Sequence, residues 1–195
     1  MIYITSDTHF SHKNIIKYCN RPFKNIDEMN YTLIQKWNEV VSEDDEVYHL
    51  GDFAFAQRTD ENISYRETLK KYLKCLTSTL NGKIHLILGN HDLKVGIMSS
   101  CGFESVQKGP LMMTYEGTNL IFSHVPLNGL PVDYVNLHGH IHNTFLPQYI
   151  KSYYINVSTD VTGFKPVLLD NLILIYQYRL MMSNNRLTPF EFYES

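Results

Sequence analysis

Five short polar motifs each stand next to an apolar run in this chain: Asp7-Thr8-His9, Gly51-Asp52, Gly89-Asn90-His91-Asp92, Ser123-His124 and Gly139-His140-Ile141-His142. A short apolar run that stops at such a cluster reads as a buried strand meeting a turn. Repeated along the chain, the pattern demands sheets whose turns bring acids, an amide and histidines to one edge. Oxygen and imidazole donors that converge from several strand ends can hold a pair of metal ions.

The segments between the motifs supply the rest of a layered fold. Met1 to Thr5 reads as a strand. Asn25, with Glu28 three residues on, predicts the start of a helix carrying Ile26, Met29, Leu33, Trp37 and Val40 at helical spacing. Val47 to Leu50 is a short strand, Glu61 to Leu80 a second helix, and Ile84 to Leu88 a third strand. Strand, helix, strand, helix, strand implies a parallel sheet with a site at its carboxyl ends. Leu111–Tyr115 and Asn119–Phe122 flank a hairpin turn at Glu116-Gly117-Thr118. Tyr134–Leu137 and Tyr153–Val157 are further strands, and Asp170 caps a helix over residues 171–182. The expected architecture is one domain over residues 1–195: an α/β, four-layer α/β/β/α sandwich with mixed sheets. A half-parallel sheet would join a half-antiparallel one.

Composition removes several alternatives. A chain of 195 residues can bury a core without a disulfide framework. The formal net charge of −3 argues against a broad basic surface for nucleic acid, although bound cations would add positive charge. Cys19, Cys75 and Cys101 are scattered and match no zinc-knuckle spacing, which fits reduced thiols in a cytoplasm. The N-terminus has no basic flank or long apolar stretch, and no segment approaches the ~20 apolar residues of a membrane span. A soluble cytoplasmic protein is expected.

The motifs invite specific roles. Asp7 and His9, two apart, would point the same way if strand character persisted. Asp52, after Gly51, could bridge two cations with its two oxygens. Asn90 offers a neutral oxygen, and His140 and His142 repeat the i, i+2 spacing. Taken together, the five motifs resemble the signature of the calcineurin-like metallophosphoesterase superfamily: Asp-x-His, Gly-Asp, Gly-Asn-His-Asp/Glu, His and Gly-His-x-His. Asn156-Val157-Ser158 and Phe164-Lys165-Pro166 look most like its small bacterial and phage-type members.

The resemblance implies an α/β sandwich and hydrolysis of phosphoesters by in-line attack of a water activated between two divalent metal ions. Asp7, His9, Asp52 and His142 would hold one metal; Asp52, Asn90, His124 and His140 would hold the other. His91 would be the catalytic imidazole outside both sets. Mixed oxygen and imidazole donors favour Mn²⁺, with Fe²⁺, Zn²⁺ or Ni²⁺ as alternatives. Phosphodiesters are preferred to monoesters as substrates. A nuclease or nucleotide phosphatase of the same fold, and a noncatalytic protein-binding scaffold, are the competing readings. The expected partner is a small phosphoester or nucleotide, with short nucleic-acid strands as an alternative and no membrane. Residues 53–58, Phe-Ala-Phe-Ala-Gln-Arg, replace the Asp-Arg that follows Gly-Asp in protein Ser/Thr phosphatases, which argues against that substrate class.

Other residues admit plainer readings. His12, Arg21 and Arg58 are candidate substrate contacts, as are Lys13 and Lys17, but scattered surface cations are the simpler account. His49, His85 and His138 read as structural. Phe10, Phe23, Phe53 and Phe55 could line a pocket for a base, though core packing explains them equally well. Gly51, Gly89 and Gly139 are expected to permit tight turns.

Overall fold

The computed structural model describes residues 1–56, 62–144 and 153–187. In chain order its elements are β1 (Ile2–Thr5), α1 (Lys13–Tyr18), α2 (Ile26–Val40), β2 (Glu46–His49), α3 (Tyr65–Thr79), β3 (Lys83–Ile87), α4 (Val95–Met98), β4 (Ser105–Gln107), β5 (Leu111–Tyr115), β6 (Thr118–Ser123), β7 (Tyr134–His138), β8 (Tyr154–Asn156), β9 (Val167–Leu168) and α5 (Leu169–Leu187). Two mixed sheets result, ordered β4-β3-β2-β1-β9 and β5-β6-β7-β8, with flanking helices.

Local chemistry accounts for the helix starts. Asn25 Oδ1 accepts the Glu28 N–H at 2.9 Å, while Glu28 Oε2 accepts the Lys24 N–H at 2.7 Å. These bonds satisfy donors that no helical carbonyl can reach. The second long helix begins at Tyr65, later than the expected Glu61, because Ser64 and Glu67 form the capping pair: Ser64 Oγ accepts the Glu67 N–H at 3.3 Å. The last helix begins at Leu169, before the expected cap. Asp170 lies in its first turn, where it accepts the Tyr115 hydroxyl at 2.9 Å.

Each face of the first sheet has its own core. Tyr3, Val47, Ile84 and Leu86 pack with Met29, Leu33 and Trp37 of α2 and Leu69, Leu73 and Leu76 of α3. Ile4, Leu50 and Ile87 cluster instead with Leu120, Phe122, Val135, Leu137 and Ile155 of the second sheet and with Leu169, Leu172 and Ile173 of α5. Adjacent residues such as Tyr3 and Ile4 thus serve opposite faces, as strand alternation requires. Burying each large apolar side chain contributes about 1.5–3 kcal/mol.

The second sheet departs from expectation. Only β5 and β6 pair antiparallel; β6, β7 and β8 run parallel to one another. The hairpin turn at Glu116-Gly117 is local and legible, whereas the parallel pairings join segments across long connections. Among the described residues, no helix is long and apolar enough to cross a membrane.

Candidate metal centre

Parallel pairing is what collects the motifs. β1, β2 and β3 are parallel neighbours, so the residues after each leave from one edge. The residues after β6, β7 and β8 do the same, and an isolated Ser6–Ser158 bridge joins the two edges. The first motif then lies along the second: the Asp7 N–H donates to Gly51 O and the His9 N–H to Asp52 O, each at 3.0 Å.

Strand character does not persist through the motifs, so period-two alternation is not what aims the side chains. Asp7, His9, Asp52, His140 and His142 all have positive φ, between 49° and 69°. For residues with a Cβ this left-handed backbone costs about 1–3 kcal/mol each and collects at functional sites. The outcome is convergence all the same. Asp7 Oδ1 lies 4.0 Å from Nε2 of both His9 and His142. Asp52 Oδ2 lies 3.5 Å from Nε2 of both His9 and His124. Asn90 Oδ1, His124 Nε2 and His140 Nδ1 form a triangle with sides of 2.9, 3.0 and 3.2 Å. Asp7, His9 and His142 form one group able to hold a cation, and Asp7, Asp52 and His124 another.

Two glycines serve close approach. Gly51 has a left-handed φ of 96°, as a tight turn needs, but Gly89 and Gly139 do not. A β-carbon on Gly89 would stand 2.2 Å from Asp52 Oδ1, and one on Gly139 would stand 2.3 Å from Asp7 Oδ2.

The donor atoms fit a cation. Asp7 Oδ1 and both ring nitrogens of His9 are buried and have no hydrogen-bond partner. Buried polar atoms rarely go unsatisfied, and a missing ion is one physical reason for it. The His124 Nδ1–H donates to Leu50 O at 2.8 Å, which leaves its Nε2 lone pair facing Asp52 and Asn90. No thiolate belongs to either group, and mixed oxygen and imidazole donors suit a divalent first-row ion.

Charge is arranged to match. Burial disfavours the Asp52 carboxylate, but hydrogen bonding and charge from His124, with the His91 amide, outweigh it and hold the group well below the usual range. Burial raises Asp7 and lowers His9 to about 2, keeping that ring neutral. His142 is the exception: Asp160 overcomes the burial penalty and raises it to about 10.

Asp92 has a definite structural task. Its carboxylate accepts the N–H groups of Asp52 and Gly89 at 2.8 Å and of Phe53 at 3.0 Å, tying the second motif to the third. His91 instead reaches outward. Its side chain is 47% exposed, with Nε2 4.0 Å from Asp52 Oδ2.

A cavity of about 440 Å³ opens beside these donors, bordered by His91, His12, Tyr18, Ile15 and Ile141. His12 faces it and stacks on Phe55 at 4.1 Å. Arg21 does not face it: the residue is buried and its guanidinium is engaged by Asp160 and the carbonyls of Asp7 and Thr8. Its cation is consumed inside the protein, so it is not a substrate contact. Lys13 and Lys17 do not line the cavity, and Arg58 lies outside the described residues. Phe10 and Phe53 are core residues, and Phe23 packs on Phe164.

Sequence reasoning missed the support of the site. Residues 156–160, Asn-Val-Ser-Thr-Asp, run past it after β8. The Ser158 hydroxyl donates to Asp7 Oδ2 at 2.8 Å, the Thr159 hydroxyl to Asp7 O at 2.9 Å, and the Asn156 amide to His142 O at 2.6 Å. A polar run directly after a strand was the available signal.

Comparison with known proteins agrees with this geometry. An uncharacterised protein of Methanocaldococcus jannaschii is 39% identical over 182 residues, covering 90% of this chain and 91% of that protein. The gene 66 protein of Mycobacterium phage L5 is 36% identical over 92 residues, covering 46% of this chain and 39% of that protein. A protein of unknown function from Aquifex aeolicus shares the fold, with a TM-score of 0.68 and 24% identity over 90% of this chain and 98% of its own. The calcineurin-like phosphoesterase profile matches residues 1–184, and the chain belongs to that family of metal-dependent phosphoester hydrolases.

Proposed function

We propose that the protein hydrolyses phosphodiesters with two divalent cations, Mn²⁺ first among them. Asp7, His9, Asp52 and His142 hold one cation; Asp52, Asn90, His124 and His140 hold the other. The observation that supports this most directly is Asp52 Oδ2, equidistant at 3.5 Å from His9 and His124, members of the two donor sets. When bound, the cations supply positive charge that acidifies water and neutralises phosphate oxygens.

The chain's own groups do the rest. His91 lines the cavity without joining either donor set, and it delivers a proton to the leaving oxygen. Its backbone N–H holds Asp52 Oδ1 at 2.9 Å, so the bridging carboxylate and the acid are aligned together. Among the described residues, no Lys or Arg lines the cavity. A monoester dianion brings one more negative charge than a diester, so this wall favours the diester. The rings of Tyr18 and His12 beside the donors favour a nucleotide or short strand as a second reading. Three free cysteines fit a reducing compartment, which places the protein in the cytoplasm.

The test is turnover of bis-p-nitrophenyl phosphate and p-nitrophenyl phosphate after chelation, with and without added Mn²⁺. We expect activity only with metal, and faster on the diester. Chelation-insensitive turnover would refute the metal role, and faster monoester turnover would reverse the substrate preference.

A further inference from the structure

One buried arginine touches both ends of the first donor set. Arg21 Nη2 donates to Asp7 O at 2.7 Å and Nη1 to Thr8 O at 2.9 Å. The same guanidinium grips Asp160, with Nε to Oδ1 at 2.8 Å and Nη2 to Oδ2 at 3.0 Å. Asp160 Oδ2 in turn accepts the Nδ1–H of His142 at 2.7 Å. The Arg21 and Asp160 side chains are respectively 0% and 3% exposed. A planar five-donor fork suits this task, since a lysine could not serve two carbonyls and a carboxylate together.

The chemistry of the imidazole gives the clamp its meaning. With Nδ1–H committed to Asp160, the lone pair of the neutral ring sits on Nε2, the nitrogen that faces Asp7 Oδ1. We propose that Asp160, locked by Arg21, is a positioning residue that sets the tautomer and aim of His142 and thereby the cation affinity of the set Asp7, His9 and His142. Neither residue belongs to the five motifs, and neither touches the cavity's substrate side. Arg21 holds Asp7 through its backbone while Asp160 holds His142 through its ring, so one ion pair fixes the spacing between two donors that lie 135 positions apart in sequence. Cys19 lies within donor reach of the same His142–Asp160 pair, but the Asp160 bond already occupies Nδ1.

The inference rests on the two-cation reading, and the test separates them. Mn²⁺ alone is titrated calorimetrically into the metal-free full chain and into Asp160→Asn, His142→Ala and the double variant. The wild type should show two binding events. Asp160→Asn should weaken one of them by about 10–100-fold, the usual effect of removing such an outer partner. That event should be the one His142→Ala also weakens. Because Asp160 acts through His142, the double variant should lose little more than His142→Ala does. Arg21→Lys, which keeps the charge but not the fork, should weaken the same event less, and it answers the question if Asp160→Asn does not fold. Wild-type affinity in Asp160→Asn, or additive losses in the double variant, would overturn the positioning role while leaving the two-cation reading intact. A wild type that binds no Mn²⁺ would overturn both.

Discussion

Gly139 lies so close to Asp7 that a β-carbon added to it would stand 2.3 Å from the Asp7 Oδ2 atom and 2.0 Å from the Ser6 hydroxyl oxygen. Gly139 itself has no left-handed φ, so an alanine there is excluded by space alone. Gly139→Ala should therefore push Asp7 out of place, destabilise the fold by about 1–3 kcal/mol and reduce metal content. Urea denaturation and elemental analysis check this. An alanine variant with wild-type stability and metal would show that the edge between the sheets yields easily.

Asp52→Asn tests the bridge. The neutral amide keeps one oxygen acceptor but loses the charge that faces both His9 and His124. Metal should fall at both positions together. A variant that still carries two tightly held ions would refute a shared carboxylate.

His91→Ala removes a side chain that belongs to neither donor set. Its backbone bond to Asp52 survives the change. Metal content should stay near wild type while turnover falls by about 10²–10⁴-fold, the usual contribution of a general acid. Loss of both metals would show that the ring has a ligand role instead.

His49 makes stability sensitive to acid. The Gly51 N–H points at its Nδ1 at 3.2 Å, so the proton sits on Nε2, which donates to the Thr8 hydroxyl at 2.9 Å. Burial lowers this ring from 6.5 to about 3. The unfolded chain takes up the proton first as acid is added, so the neutral ring's contribution is complete above pH 6.5 and is lost as pH falls toward 3. The urea midpoint should drop between pH 7 and pH 5, and drop less in His49→Gln. An equal drop in the variant would assign the effect to other depressed rings, such as His138 at about 4.

The donor residues were legible because their chemistry is distinctive and each follows an apolar strand. Their backbone was not: five of them take left-handed conformations that no residue pattern announces when the residues are aspartate and histidine rather than glycine. Arg21 was misread because a cation near a motif looks like a substrate contact until its partner is seen, and Asp160 lies 139 positions away. The strands β4 and β9 have only three and two residues, too few to display alternation. The helices α2 and α3 were legible from their spacing, since each buries three residues along one face.

The donor set is divided between two sheets that meet through side chains. Asp7, His9, Asp52 and Asn90 follow strands of one sheet; His124, His140 and His142 follow strands of the other. The thickness of the layer formed by Ile4, Leu50, Ile87, Phe122 and Leu137 therefore sets the gap between the two groups. A volume change in that layer would reach the donors as altered spacing, with every donor atom chemically intact. Metal preference in such a protein is a property of its core as much as of its ligands, and substitutions among apolar residues far from any histidine are a route by which one ion could come to be favoured over another.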